Sequence, residues 1–198
     1  MIETLGKMDC TTEYPPGNIM AHLGISLDSL RGLKVLDIGC GLKAGFVKHL
    51  RKNGIQAWGI DRLLDVSEVG EYTANAEALE IPDFGMQFDV AIAHFSAFRW
   101  GSSFFVDTGI KRGALNQQDY EKNLLYMGYT ILNLRKSIKS GGKLIIFPCP
   151  NELLSIISDY QFTIEDIPEE PARISTDVDV DFQIYPELKQ RLIITMSE

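Results

Sequence analysis

The stretch from Val35 to Gly41 constrains the possible folds of this chain most strongly. It reads Val-Leu-Asp-Ile-Gly-Cys-Gly, an apolar run that contains one acid and ends in two closely spaced glycines. Glycine lets a backbone turn sharply and approach a ligand closely, because it carries no Cβ atom. Residues 42–53 then have apolar side chains at helical spacing, and Asn53-Gly54 is a typical helix end. Strand, glycine turn and helix predict a nucleotide-binding corner with backbone N–H groups gathered at a helix N-terminus.

Asp37 bears on which nucleotide such a corner would hold. The segment Gly39–Ala44 also fits the loose dinucleotide pattern G-x-G-x-x-(G/A), and Asp61 lies 20 residues beyond Gly41. A dinucleotide would bring a doubly anionic pyrophosphate to the turn, where the Asp37 carboxylate would repel it. A ligand with a sulfonium and an amino group reverses this argument, because the carboxylate then offsets positive charge. The residues therefore favour a cationic nucleotide over a dinucleotide.

The turn Asp37-Ile38-Gly39-Cys40-Gly41 resembles the first motif of class I S-adenosylmethionine (SAM) dependent methyltransferases. Four further segments resemble the same family in the expected order: the second strand Gln56–Asp61, the third motif Ala74–Asp83, the fourth strand Phe88–His94, and the helix, Gly-Gly turn and fifth strand of Leu134–Ile146. The resemblance covers about residues 25–150. Several motifs in order are far more specific than any one of them.

The resemblance implies a set of residues for SAM binding. The amino-acid end of the cofactor would lie at the turn, and the Asp61 carboxylate would accept hydrogen bonds from both ribose hydroxyls. The Asn75 amide oxygen would accept a hydrogen bond from the adenine amino group, and the backbone N–H of Ala76 would contact the adenine edge. The predicted cofactor-binding residues are Asp37, Gly39, Cys40, Gly41, Asp61, Arg62, Asn75, Ala76 and His94.

Alternating strand and helix patterns predict a three-layer, doubly wound α/β fold. The resemblance adds a mainly parallel, seven-stranded sheet whose last strand runs antiparallel between the fifth and the sixth. For a chain of 198 residues we expect one domain, 1–198, with an N-terminal helical cap over 1–32 and an acidic insertion over 168–190. The patterns also predict helices at 119–140 and Asn151–Tyr160, strands at Phe162–Ile167 and Arg191–Met196, and an added edge strand at Asp177–Phe182.

Aromatic and basic side chains between His94 and Tyr120 predict the acceptor-binding region, with Phe95, Arg99 and Trp100 as candidate contacts. Apolar walls with a few polar groups suit a small organic molecule, although the same aromatic residues could instead pack beneath the loop. Catalysis would be in-line attack of a substrate nucleophile on the sulfonium methyl, aided by alignment and exclusion of water. His94 is the candidate general base, because imidazole titrates near neutrality; a packed ring or a backbone contact with the cofactor is the competing interpretation.

Composition limits the partners. The net charge is −8, and residues 164–198 alone hold nine acids and three bases. No face dense in lysine and arginine is evident, so nucleic acid is disfavoured as the substrate. Cys10, Cys40 and Cys149 lack metal-ligand spacing, which predicts reduced thiols and no metal site. Without a secretory pattern or an apolar run of roughly 18 residues, we expect a cytoplasmic monomer or homodimer that does not contact membranes.

Other activities remain open to different degrees. A catalytically silent SAM-binding scaffold would keep the same cofactor motifs, and RNA or protein are alternative acceptors. Covalent catalysis by Cys149, as in cytosine C5 methyltransferases, is disfavoured because the Pro-Cys pair after the fourth strand and a cationic neighbour for the thiolate are both missing. The sequence His94-Phe95-Ser96 disfavours an aminopropyltransferase, which carries acids there, and an amino-methylating DNA enzyme, which carries Asn/Asp-Pro-Pro-aromatic.

Overall fold

The computed structural model describes residues 14–98, 106, 117–167 and 186–197. Helix α1 spans Pro16–Leu23, and Pro16 suits the first helical position because its missing N–H would have no partner there. Gly24 ends the helix in the left-handed region, with φ 61°. A 3-10 turn at Asp28–Leu30 then leads into the sheet. The described part of the expected cap, residues 14–32, therefore contains one short helix and a 3-10 turn.

The sheet has seven strands in the order β3-β2-β1-β4-β5-β7-β6, and β7 runs antiparallel to both of its neighbours. This order confirms the predicted fold class. The strands are β1 Lys34–Ile38, β2 Gln56–Asp61, β3 Thr73–Asn75, β4 Phe88–His94, β5 Ile138–Phe147, β6 Gln161–Asp166 and β7 Gln190–Thr195. Two further helices are α2 Gly45–Lys52 and α3 Gln117–Ser137.

Helices cover both faces of the sheet, and the strand alternation decides which side chain meets which helix. On one face Val35, Val90 and Ile92 pack with α1 and α2. On the other face Leu36, Ala91 and Ala93 pack with α3. The central strands are buried on both sides, which explains why their sequences read as nearly continuous apolar runs.

Several predicted element boundaries differ from the structure. The helix expected from residue 42 begins at Gly45, because Ala44 adopts a left-handed conformation with φ 48°. The helix expected over 119–140 ends at Ser137, since Ile138 already pairs with Phe88 in the sheet. The Gly-Gly turn expected before the fifth strand lies within β5, which already begins at Ile138. The other strand ends agree to within one or two residues.

The expected helix at Asn151–Tyr160 is wrong. The structure has a 3-10 turn at Asn151–Leu153 followed by further turns. Ser155, Ser158 and Asp159 lie in this stretch, and such side chains compete with the helix for backbone hydrogen bonds. The acidic insertion ends in a 3-10 turn at Pro186–Lys189. The expected edge strand Asp177–Phe182 lies outside the described residues.

Candidate cofactor-binding site

The predicted site residues lie at the carboxyl ends of neighbouring strands. Asp37 is in register with Gly59 and Ile92, and Asp61 is in register with Asn75. In an open α/β sheet, ligands bind in the crevice beyond these strand ends. The topology therefore brings Asp37, Asp61 and Asn75 to one edge of the sheet.

Asp37 is a buried acid in an unfavourable environment. Only 4% of the residue is exposed. Burial, and then the negative charge of Asp61, raise the pKa of Asp37 to about 7. A cation bound in front of the two carboxylates would favour the charged form of Asp37 and lower this pKa. The site therefore has the electrostatics of a binding site for positive charge.

The N–H groups of the glycine turn, which were predicted to gather at a helix N-terminus, have partners within the protein. The N–H groups of Gly39 and Cys40 both donate to the carbonyl of Ile60, at 2.7 and 3.0 Å. The N–H of Gly41 donates to Oδ2 of Asp61 at 2.9 Å. Helix α2 also begins four residues after Gly41, so its N-terminus does not open directly onto the turn. The sheet and Asp61 therefore already use these three donors, and the nucleotide-binding role of the turn stays a prediction.

Close packing explains why glycine stands at position 39. Its φ of 80° lies in the left-handed region, and a Cβ atom there would lie 2.2 Å from Cβ of Ser96. The Ser96 hydroxyl donates to the carbonyl of Ile38. The loop after β4 is therefore locked onto the turn after β1. On the other side of the turn, buried Cys40 packs so closely on Gly59 that a Cβ atom at Gly59 would lie 2.9 Å from its sulfur.

The Asp61 side chain, at the end of β2, accepts two backbone hydrogen bonds, one of them from the glycine turn. Its Oδ2 accepts from Gly41, and its Oδ1 accepts from the N–H of Leu63 at 2.8 Å. Each carboxylate oxygen can accept a second hydrogen bond. The ribose role of Asp61 stays a prediction, and it is compatible with these two contacts.

The Asn75 side chain is exposed and oriented by the backbone beside it. Its amide nitrogen donates to the carbonyls of Arg62 and Leu64, at 3.1 and 3.0 Å. Both N–H groups are thus used, and the predicted role of the amide oxygen as an acceptor for adenine is compatible with these contacts. The N–H of Ala76 instead donates to the carbonyl of Asp61 at 3.3 Å. The predicted contact of Ala76 with adenine is therefore not supported, because the N–H extends the β2–β3 ladder.

Solved structures with similar folds were found, although no protein-family model and no curated protein sequence matches the chain. The tRNA (m1A58) methyltransferase TrmI from Aquifex aeolicus aligns over 98% of this chain and 73% of its own, with a TM-score of 0.50 and 13% identity. The protein PH0851 aligns over 91% of this chain and 46% of its own, with a TM-score of 0.54 and 14% identity. The chain has the class I methyltransferase fold.

Helix α3 approaches Arg62 and Glu77 through the side chain of Tyr126. The predicted residue Arg62 and the unpredicted Glu77 both lie close enough to Tyr126 to act on its hydroxyl. Burial, and then the negative charge of Glu77, raise the pKa of Tyr126 to about 12, against the opposing charge of Arg62. Tyr126 stays protonated at neutral pH and can serve there as a hydrogen-bond donor. The only sequence signal for Tyr126 was its hydroxyl group on the half-buried face of α3.

His94 does not have the geometry of a general base. The residue is 8% exposed, and its Nε2 lies 2.7 Å from Nδ1 of His22 on α1. Burial, and then the proximity of His22, hold the pKa of His94 well below its usual range. Strand alternation supplies the reason: His94 follows Val90 and Ile92 on the face covered by α1. The catalytic role predicted for His94 is therefore not supported, and the packed-ring interpretation fits the structure.

Phe95 is buried and has a left-handed backbone, with φ 46°. Its N–H donates to the carbonyl of Phe147 at 2.7 Å, and its ring stacks on Tyr14 at 5.0 Å. A non-glycine residue with positive φ costs free energy that the surrounding contacts must offset, and such residues cluster at functional sites. Arg99 and Trp100, the other predicted acceptor contacts, lie outside the described residues.

Metal sites and membrane spans can be judged for the described residues. Among these residues, no group of three or more His, Cys, Asp or Glu side chains is arranged to hold a metal ion. Within the same part of the chain, every helix is too short or too polar to cross a bilayer.

Proposed function

We propose that the protein is a SAM-dependent methyltransferase that transfers a methyl group to a small-molecule acceptor by direct in-line displacement. The observation that carries this proposal is the charge of the site. Asp37 is buried beside Asp61, while the three N–H groups of the glycine turn are used within the protein. Such a site favours the amino and sulfonium groups of SAM and disfavours the pyrophosphate of a dinucleotide.

The residues present fit SAM in three places. Asp37 would face the positively charged methionine end, and the free lone pairs of Asp61 would accept from the ribose hydroxyls. The amide oxygen of Asn75 would accept from the adenine amino group, because its nitrogen is already held by two backbone carbonyls. The cofactor supplies an activated methyl group, so the chain itself has to align the acceptor and exclude water.

A small-molecule acceptor is supported by the charge of the chain. A net charge of −8 disfavours a polyanion. Tyr14 and Phe95 form a stacked aromatic pair near the strand ends, but Phe95 is buried in the core and the pair does not itself show an acceptor pocket. RNA nevertheless belongs in the test, because the similar TrmI structure is named as a tRNA methyltransferase. A cytoplasmic location and a monomeric or dimeric state remain proposals of the same kind.

Because His94 is buried and bonded to His22, it does not have the geometry of a general base, and this favours one second candidate function. A scaffold that binds SAM without turnover would keep the cofactor residues and would not need a base. The same geometry fits an enzyme whose acceptor nucleophile is unprotonated at neutral pH, since such an acceptor needs no general base. The scaffold and the enzyme would therefore differ only in whether they transfer the methyl group.

Titration calorimetry with SAM, its demethylated product, NAD⁺ and FAD tests the cofactor. We expect binding of the first two compounds and none of the last two; the reverse pattern would refute the proposal. Asp37→Asn keeps the size of the side chain and removes its charge, so we expect about tenfold to hundredfold weaker SAM binding. Asp28→Asn, an exposed acid paired with Arg31 outside the site, is the matched control and should bind normally.

Release of labelled methyl groups tests turnover. The assay pairs purified protein with fractionated small metabolites, total RNA and a protein extract as separate acceptor pools. We expect transfer to the metabolite pool only. SAM binding without transfer to any pool would favour the scaffold, and transfer to RNA alone would correct the acceptor class.

A further inference from the structure

His22 meets His94 in the core of the protein. It lies on the buried face of α1 with Ile19 and Leu23, and only 3% of it is exposed. Its Nδ1 lies 2.7 Å from Nε2 of His94, and its ring stacks on Phe147 with centroids 4.4 Å apart. Burial lowers the pKa of His22 to about 4, so both rings are neutral at pH 7. One nitrogen therefore donates the shared proton and the other accepts it.

The same pair lies beside the strained start of the loop after β4. Tyr14 meets the His94 ring edge-on at 4.8 Å and stacks on Phe95, and Phe95 has the left-handed backbone. The next residue, Ser96, packs against Gly39 and donates to the carbonyl of Ile38. Contacts therefore run without a break from α1, through residues 94–96, to the glycine turn of the candidate cofactor site.

We propose that His22 is a positioning residue whose hydrogen bond to His94 fastens α1 to the end of β4 and holds residues 94–96 against the Gly39 turn. This inference rests on the proposed function, because the turn is taken as the SAM site. His22 would not touch the cofactor. It would keep the turn in the shape that binds, so that less binding free energy is spent on ordering it.

The bond has physical reasons to matter at this place. A buried polar nitrogen without a partner is costly, so loss of one imidazole leaves the other unsatisfied among aromatic rings. The strained conformation of Phe95 persists only while its surroundings enforce it. Loosening α1 would thus release the loop, and Gly39 would lose the Ser96 contact that shapes the turn.

Three variants of His22 separate the hydrogen bond from simple packing. His22→Asn places an amide atom where Nδ1 stood and can restore the bond to His94. His22→Leu has the same branching as Asn but cannot form a hydrogen bond. His22→Gln carries its amide one bond further out, away from that position. His49→Leu, a histidine of α2 whose ring packs on Phe46, is the control for loss of a helix histidine.

Binding of SAM and of its demethylated product is measured by calorimetry, and amide hydrogen exchange is measured in α1. For His22→Leu and His22→Gln we expect about five- to tenfold weaker binding and faster exchange in α1. His22→Asn should lie close to the wild type in both, and His49→Leu should not differ from it. Rescue by Asn is the readout that a purely structural role would not produce.

Two results would overturn the inference. Either His22→Leu binds as tightly as the wild type, or His22→Asn is as impaired as His22→Leu. If the wild type binds neither compound, the proposed function fails separately, and hydrogen exchange alone then decides the inference. Unchanged α1 exchange in His22→Leu would refute the fastening, and faster exchange reversed by Asn would support it.

Discussion

Asp37 and Asp89 are acids on neighbouring central strands, but they lie at opposite edges of the sheet in opposite environments. Asp89, at the amino edge, accepts from the backbone N–H of Lys34 at 2.8 Å and from Nζ of Lys139 at 2.6 Å. Although its partial burial opposes ionisation, these two hydrogen bonds lower the pKa of Asp89. Asp37, at the carboxyl edge, is buried beside a second acid, and its pKa is raised.

The difference separates a carboxylate that stabilises the fold from one that costs stability. Asp89 has its compensating charge within the chain. Asp37 faces Asp61 instead, and we infer that its compensating charge arrives with a ligand. Binding sites commonly keep such unfavourable groups, because an environment optimised for stability alone would leave nothing for the ligand to neutralise.

The largest expected effect concerns pH and Asp37. The folded-state pKa of about 7 lies above the ordinary value of 3.8, so the folded protein retains a proton that the unfolded chain releases between these values. The free energy of unfolding should therefore fall as pH rises from 4 to 7, by up to roughly 4 kcal/mol from this group. Denaturant unfolding at a series of pH values measures it.

Asp37→Asn should remove that slope. At pH 8 the variant should be more stable than the wild type, while it binds SAM more weakly. Equal stability of the wild type and Asp37→Asn across this pH range would contradict the inferred difference between Asp37 and Asp89.

A second expected effect concerns crowding at the carboxyl edge. Gly39 and Gly54 have nearly equal φ values, 80° and 79°, but of these two only Gly39 has neighbouring atoms within 4 Å of where a Cβ atom would lie. Gly39→Ala should therefore cost about 3 kcal/mol or more, from strain and collision with Ser96 together. Gly54→Ala, with strain alone, should cost about 1 kcal/mol. Thermal unfolding compares the two, and equal losses would show that the Ser96 contact is unimportant.

Asp61→Asn should give an intermediate effect. The wild-type carboxylate accepts one N–H on each oxygen, from Gly41 and from Leu63, whereas an amide can accept on one side only. We expect a loss of about 1–2 kcal/mol in unfolding free energy. SAM binding should weaken as well, as measured by calorimetry. Normal binding by this variant would contradict the ribose role predicted for Asp61.

The smallest expected effect belongs to Asp89→Asn. It removes the charge that receives two hydrogen bonds, but Lys139 is half exposed, so solvent screens most of that attraction. We expect a loss of about 1 kcal/mol without any change in SAM binding. The sign is opposite to that of Asp37→Asn at pH 8. A stabilising Asp89→Asn would show that the amino-edge contact does not contribute to folding.

Much of the fold could be read from local patterns. Buried strands of a parallel sheet are apolar on both faces, and this property made β1, β2 and β4 visible in the sequence. The turns after β5 were harder, because an apolar spacing typical of a helix is outweighed there by serine and aspartate. The start of α2 also escaped prediction, since the left-handed conformation of Ala44 has no local signature.

The convergence of the predicted residues was predictable, and their contacts were less so. Asp37, Asp61 and Asn75 lie at one edge of the sheet because acids and amides follow successive strands. The contacts of Ala76 and His94 were not predicted, because their partners lie 15 and 72 residues away in the chain. His22 could have been noticed as a polar residue on the apolar face of α1, and the alternation Val90, Ile92, His94 pointed to that same face.

The sequence by itself determined the order of strands and helices and the positions of the acids, because periodicity and glycine spacing are local properties of the chain. Only the tertiary structure decided which acid has a positively charged partner and which N–H groups of the glycine turn already donate within the protein. It also decided that Nδ1 of His22 faces Nε2 of His94. Those outcomes depend on burial and on distances of a few ångströms between residues far apart in the chain, and electrostatic and hydrogen-bond energies change most steeply over such distances.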